Sequence, residues 1–332
     1  MRLATKYLGL DLDNPLVPSA SPLSREVDTV KELEDAGAPA IVLYSLFEEE
    51  IHHEEAELNH YVDIGSDSFS EATSFIPTPT NLVNGGDRYL EHIQKLKNMV
   101  DIPIIGSLNG ITTGGWINYA KKIQEAGADA LELNVFYLPT EPTLSNNDVE
   151  NIYIDCLSEI VKQISIPVAM KINPFFSNLP GFCKKLEDTG AKALVLFNRF
   201  YQPDIDLIKL EVSPVVHLSN SADIVLPLRW IAILRDQLKI DLASSTGVHS
   251  AEDVIKLTMA GADVTMMASS LLKNGPKHLG VVKENLIQWM DEFEYEDLNQ
   301  MRASMSLNNV PNKNAFVRSN YIKMLNEFKP LR

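Results

Sequence analysis

The sequence predicts a (β/α)8 TIM barrel of the α/β class, and three observations lead there. The first is a recurring joint. Asp35-Ala36-Gly37-Ala38, Glu125-Ala126-Gly127-Ala128, Asp188-Thr189-Gly190-Ala191 and Met259-Ala260-Gly261-Ala262 each close an amphipathic segment and precede a short apolar run. Glycine suits a left-handed turn at a helix end, and small alanines let helix and strand approach closely. Repeated joints of this kind mean β-α units and a parallel sheet. The second observation is a set of short runs rich in Val, Ile, Leu, Ala and Met, as expected of strands buried on both faces. The third is length: 332 residues accommodate one barrel with insertions.

In chain order the strands are expected at residues 15–20, 40–45, 103–108, 130–135, 167–172, 193–198, 241–245 and 263–268. Helical patterns lie between them, for example at 24–36, 116–126 and 149–164. Closure removes exposed strand edges, whereas a doubly wound open sheet, the alternative arrangement of the same units, would need them protected. Three segments exceed ordinary connections: residues 47–88, residues 199–227 with a small hairpin expected at 209–217, and the tail after Gln288. Long loops at the C-terminal ends of strands are where barrels build their sites. The expected organisation is a barrel over residues 1–295 and a helical, polar extension over 296–332 packed on it.

Composition narrows the partners. Hydrophobic residues make up 45% and charged residues 22%, the balance of a globular core under a solvated surface. The net charge of -16 repels phosphodiester backbones, so nucleic acid is not an expected partner. No stretch approaches the roughly 20 apolar residues of a membrane span, and the first residues lack a signal-peptide pattern. Cys156 and Cys183 show no metal or redox spacing and fit buried thiols in a reducing cytoplasm. The expected partner is a small-molecule substrate, with a homodimer as the expected assembly. His52, His53 and His60 lie among many glutamates without metal-ligand spacing, the pattern of a solvated acidic helix.

The residues that carry chemistry sit at strand ends. Lys171 ends the fifth strand in Ala169-Met170-Lys171-Ile172. An ammonium inside an apolar strand is costly unless it meets an anion or snorkels to solvent. At a barrel mouth it serves a cofactor or forms a Schiff base. Asn134 and Asn198 end the fourth and sixth strands, where an amide offers donor and acceptor to a heterocycle, or caps a turn. Ser245-Thr246-Gly247 and Ala268-Ser269 follow the seventh and eighth strands, where barrels commonly hold a phosphate and where serines also cap helices.

At these residues the chain resembles the dihydroorotate dehydrogenase family of FMN barrels, from about Leu8 to Met290. The resemblance rests on Asn14-Pro15-Leu16-Val17-Pro18-Ser19-Ala20-Ser21, on Pro103-Ile104-Ile105-Gly106-Ser107-Leu108-Asn109-Gly110, on Leu131-Glu132-Leu133-Asn134, on Pro167-Val168-Ala169-Met170-Lys171 and on Thr246-Gly247-Val248, in that order. It implies FMN as cofactor and hydride transfer from a dihydropyrimidine-like substrate, dihydroorotate first among them. Lys171 would stand by the flavin's pyrimidine edge. Ala20, Ser21, Ser45 and Asn134 would line the flavin, and Ser245, Thr246, Gly247, Ala268 and Ser269 would hold its phosphate. Tyr44, Asn81, Asn134 and Asn198 would face the substrate.

The substrate side departs from the family. A cysteine or serine base is expected three residues after the fourth-strand asparagine, and Tyr137 stands there. A phenol, with a reference pKa near ~10, needs help to act as base at neutrality. Pro139 replaces a substrate-binding asparagine, and Tyr44 replaces the second-strand lysine. With the first strand at Asn14, the resemblance is to the soluble branch. Two other functions fit the same residues: a lyase or isomerase with Lys171 as Schiff base, and a non-catalytic FMN-binding descendant.

Overall fold

The computed structural model describes residues 2–51, 85–111, 116–199, 203–214, 216–318 and 326–327. The chain opens with an antiparallel hairpin, β1 (Thr5–Tyr7) and β2 (Leu10–Leu12), ahead of the eight expected strands. Its turn places Leu8 and Gly9 at φ 55 and 77, the backbone of a tight primed hairpin. The barrel strands follow: β3 (Leu16–Pro18), β4 (Ile41–Val42), β6 (Ile104–Asn109), β7 (Ala130–Asn134), β8 (Val168–Ile172), β9 (Ala193–Leu196), β12 (Asp241–Ser245) and β13 (Val264–Met267). A short β5 (Leu46–Phe47) pairs with the upper end of β6.

The ladder runs β3-β13-β12-β9-β8-β7-β6-β4, with every neighbour parallel. The last strand thus pairs with the first, which a doubly wound sheet does not do, and the sheet is a nearly closed (β/α)8 barrel. Each of the eight expected strands is present within a few residues of its expected span. The four glycine joints behave as their sequence requires: Gly37, Gly127, Gly190 and Gly261 lie at φ 95, 102, 123 and 126, where a side chain would be strained. Ala191 N–H donates back to Leu186 O, so this joint also satisfies the helix's last carbonyls.

Two packed layers result. Outside the strands, a large core includes Val30 and Leu33 of α1 (Val27–Asp35) and the apolar faces of the other helices. Inside the barrel, small and β-branched residues fill the lower half: Val17, Val42, Ile105, Ala130, Ala169, Ala193, Val195, Ala243 and Val264. Tyr7, Leu8 and Leu12 of the hairpin plug this layer from below. Leu8 N–H donates to Asp241 and the Thr5 hydroxyl donates to Asp263 O, tying the plug to the strands' lower ends.

The expected hairpin at 209–217 lies elsewhere: β10 (Pro203–Asp206) pairs with β11 (Glu211–Pro214). Asp206 Oδ1 accepts the N–H groups of Ile208 and Lys209, so Lys209 belongs to the turn and the strand starts later. Beyond residue 295, the described segment 298–307 packs on the barrel. Leu298 and Met301 are buried, and Ala303, Met305 and Leu307 donate their N–H groups to Thr258, Met259 and Ala232. Among the described residues no helix is long and apolar enough to cross a membrane.

Candidate functional site

Strand alternation decides which side chains meet at the mouth. Ile105, Ala130, Ala169 and Ala243 point into the barrel, so Ser107 and Asn109, Glu132 and Asn134, Lys171 and Ser245 must do so higher up the same strands. Register then aligns them. Asn109 pairs with Asn134, and Asn134 with Lys171, in one row across β6, β7 and β8. One step lower, Ser107 pairs with Glu132. The interior thus changes from apolar to polar at its upper end, where a cavity of about 500 Å³ opens.

Lys171 and Glu132 form a buried ion pair at 3.2 Å, with side chains 8% and 1% exposed. Glu132 Oε2 has no hydrogen-bond partner. One ammonium proton therefore faces the carboxylate, and the lysine, which also lines the cavity, keeps donors for a ligand. Across β8, Asn198 Nδ2 donates to Asn134 Oδ1 at 2.7 Å. That bond leaves the Asn198 carbonyl and the Asn134 amide group to present an acceptor and a donor side by side.

The opposite wall comes from β12 and β13. Ser245, Thr246, Gly247, Ala268 and Ser269 all line the cavity. Thr246 and Gly247 lie at φ 83 and 84, and the β-branched threonine is strained there. A Cβ on Gly247 would lie 2.6 Å from the backbone nitrogen of Ile224, so only glycine fits. Ser219 joins the two loops: its N–H donates to Ser269 Oγ at 3.1 Å, and its hydroxyl accepts from Gly247 N–H at 3.4 Å. Lys273 donates to the Ser219 carbonyl at 2.8 Å. The His249 ring lies 3.2 Å from the Ser219 hydroxyl, and burial, then Lys273, holds its pKa below the usual histidine value.

Ala20, Ser21, Tyr44 and Ser45 line the side nearest β3 and β4. The Arg25 guanidinium sits 4.8 Å from the centre of the Tyr44 ring, which meets Tyr89 edge-on. Burial raises the Tyr44 phenol above its ordinary pKa. Ser45 Oγ lies 2.8 Å from Ser107 Oγ.

The structure does not bring Tyr137 to this wall. Its ring packs against the core between strands and helices, and Phe136 faces the cavity from the same loop. Asn81, like His52, His53 and His60, lies outside the described residues. The cavity also gathers residues with no role expected of them: Asn109, Ser219, Arg25 and Arg199. The strand-end argument that selected Asn134 and Asn198 would have selected Asn109. Nothing in the periodicity points to the arginines.

Fold and site together define a (β/α)8 barrel with a polar, cation-bearing pocket at the C-terminal mouth, the place where such barrels act. The profile of the family described as dihydroorotate dehydrogenase matches residues 2–290, and the chain belongs to that family. It is 26% identical over 308 residues to "Dihydroorotate dehydrogenase B (NAD(+)), catalytic subunit" of Thermoplasma acidophilum, covering 90% of this chain and 97% of that one. It is 24% identical over 322 residues to "Dihydroorotate dehydrogenase A (fumarate)" of Lactobacillus delbrueckii subsp. bulgaricus, with the same coverage. A catalytic subunit of the first kind from Methanocaldococcus jannaschii is 24% identical over 301 residues, 87% of this chain and 94% of that one.

Proposed function

We propose that this protein is an FMN-dependent oxidoreductase that takes a hydride from a dihydropyrimidine-like substrate, with dihydroorotate the first candidate. The observation that carries this reading is the single cavity shared by the Lys171 ammonium, the Asn134–Asn198 amide pair and the serine-glycine cradle after β12 and β13. The donor set fits FMN. A strained turn with a Gly247 that admits no side chain, next to the hydroxyls of Ser245, Thr246 and Ser269, suits a phosphate. An ammonium with spare donors suits the electron-rich edge of the ring.

Bound flavin supplies the two-electron, hydride-accepting chemistry. Lys171, held in place by Glu132, stabilises negative charge that develops beside it. The amide pair orients a heterocycle through one acceptor and one donor. Ser219 holds the two phosphate-side loops together. The Glu132 pair also argues against a Schiff-base lyase, because the amine must be free and neutral to attack a carbonyl, and here it is ion-paired. On this reading the chain works in the cytoplasm as a homodimer on a small molecule, with neither nucleic acid nor membrane as partner. The relatives are named for both NAD(+) and fumarate, so the acceptor is a matter for assay.

A second reading, flavin binding without turnover, draws support from Phe136 facing the cavity from the loop where the family resemblance expects an acid-base residue. One experiment separates the readings. The purified protein is denatured, the released chromophore identified by absorbance and mass, and the intact protein titrated anaerobically with dihydroorotate. FMN released together with bleaching of the bound flavin's visible absorbance supports the oxidoreductase. FMN without bleaching by dihydroorotate or other dihydropyrimidines supports the binding protein. No FMN, even after reconstitution, overturns both.

A further inference from the structure

Beside the main cavity lies a second chamber of about 450 Å³. The two share Asn198, Arg199, Ser245 and Thr246, so a ligand in one touches the wall of the other. The second chamber has apolar walls, including Phe197 and Leu226, and a further guanidinium, Arg229. Arg199 is half-buried, and its Nη1 is shielded from water without a hydrogen-bond partner. A guanidinium is always charged and offers five donors, so the unmatched Nη1 leaves Arg199 an under-satisfied cation, and the residue lines both cavities. Among the described residues no carboxylate forms an ion pair with Arg199 or Arg229. Asp223, the chamber's own carboxylate, accepts the Asn220 N–H at 2.9 Å in a capping box and is committed to that turn.

We propose that Arg199, with Arg229 behind it, anchors the carboxylate of an organic acid whose apolar body occupies the second chamber. The planar fork of arginine matches a carboxylate in two-point contact. The apolar walls favour an organic body over a bare inorganic anion. The shared wall, which holds both Asn198 and Arg199, places the acid's anchored end next to the Asn134–Asn198 pair. Arg199 thereby selects acidic substrates over neutral ones of the same shape. The inference rests on the preceding section's assignment of the larger cavity to the flavin.

The test measures Kd by calorimetry on the purified full-length protein, whose FMN content is determined in the same preparation. The probes are two matched pairs, orotate with uracil and cinnamate with cinnamamide, plus inorganic phosphate. A charge-assisted hydrogen bond of ordinary strength predicts that at least one acid binds about 10- to 100-fold more tightly than its neutral partner. Arg199→Gln should abolish that preference, Arg199→Lys should keep part of it, and Arg229→Gln should reduce it by less than Arg199→Gln. Neutral-ligand binding and the melting temperature should stay near the parent's, which separates lost recognition from lost fold. A preference for acid that survives Arg199→Gln overturns the proposal. So does a parent that prefers neither acid, or one that binds phosphate as tightly as the organic acids. FMN content is an independent arm: flavin without an Arg199-dependent preference sinks this inference alone, and the preference without flavin sinks the flavoprotein reading alone.

Discussion

Replacing Lys171 by methionine tests the buried ion pair on which the site is built. The methionine keeps most of the side-chain volume but removes the charge 3.2 Å from Glu132 Oε1. Glu132 Oε2 already lacks a hydrogen-bond partner, so the variant strands a carboxylate that is 1% exposed without its cation. Breaking a buried pair from one side typically costs about 3–5 kcal/mol, because the remaining ion has lost its compensation. Replacing both partners, as in Lys171→Met with Glu132→Gln, removes both charges and should cost no more than ~1–2 kcal/mol. The single variant's deficit should shrink as pH falls, since a proton can neutralise the stranded carboxylate, while the double variant's should not. Urea denaturation of the flavin-free protein at several pH values, followed by tryptophan fluorescence and circular dichroism, supplies the numbers. If the single variant is as stable as the double at neutral pH, the two side chains are not coupled, and the lysine is not held for the ligand as argued.

Three further outcomes follow from particular contacts. Gly247→Ala places a Cβ 2.6 Å from a backbone nitrogen at φ 84, so the purified variant should retain less than about a tenth of the parent's FMN, a loss of ~1.4 kcal/mol or more in binding; equal flavin content by absorbance would remove this turn from the phosphate site. Tyr137→Phe should slow flavin reduction by less than about 3-fold in rapid mixing, because the ring lies off the cavity wall, and a loss of 10²–10⁴-fold, on the order expected for a general base, would mean that the loop rearranges to bring it in. Asp241, whose carboxyl is pushed up to about 6 by burial and then by Asp263, contributes stability that is present below pH ~4 and lost as pH rises through about 6. Asp241→Asn should therefore stabilise the protein at pH 7.5 by about 1 kcal/mol, after discounting for partial exposure, with the gain vanishing near pH 4 in denaturation curves.

What the sequence revealed, and what it hid, divides along a physical line. The barrel was legible because its signals are local: each glycine joint must turn left-handed, and each doubly buried strand must be apolar wherever it sits. Lys171, Asn134 and the turn at Thr246-Gly247 were legible for the same reason, since a polar residue ending an apolar strand is either at the mouth or unsatisfied. Glu132 stands just as conspicuously between Leu131 and Leu133, yet its role as the lysine's counter-ion depends on β7 and β8 being neighbours, which one strand's pattern cannot state. The short plug hairpin offers three residues per strand, too few for a period to emerge. Loops hide most. Counting three residues past Asn134 fixes a chain position, but the backbone there decides which side chain turns inward, and it presents Phe136 instead of Tyr137. Arg25 and Arg199 follow their strands by a few residues without any periodic constraint, and only the assembled barrel brings their guanidiniums to one cavity. On the proposed reading, the cation at the flavin edge, Lys171, is set by a strand, while the acid-anchoring Arg199 is set by a loop. A chain can therefore keep the cofactor half of its family's site and exchange the substrate half without disturbing a single strand. The contrast between Lys171, fixed by register, and Arg199, fixed by a loop, has that form.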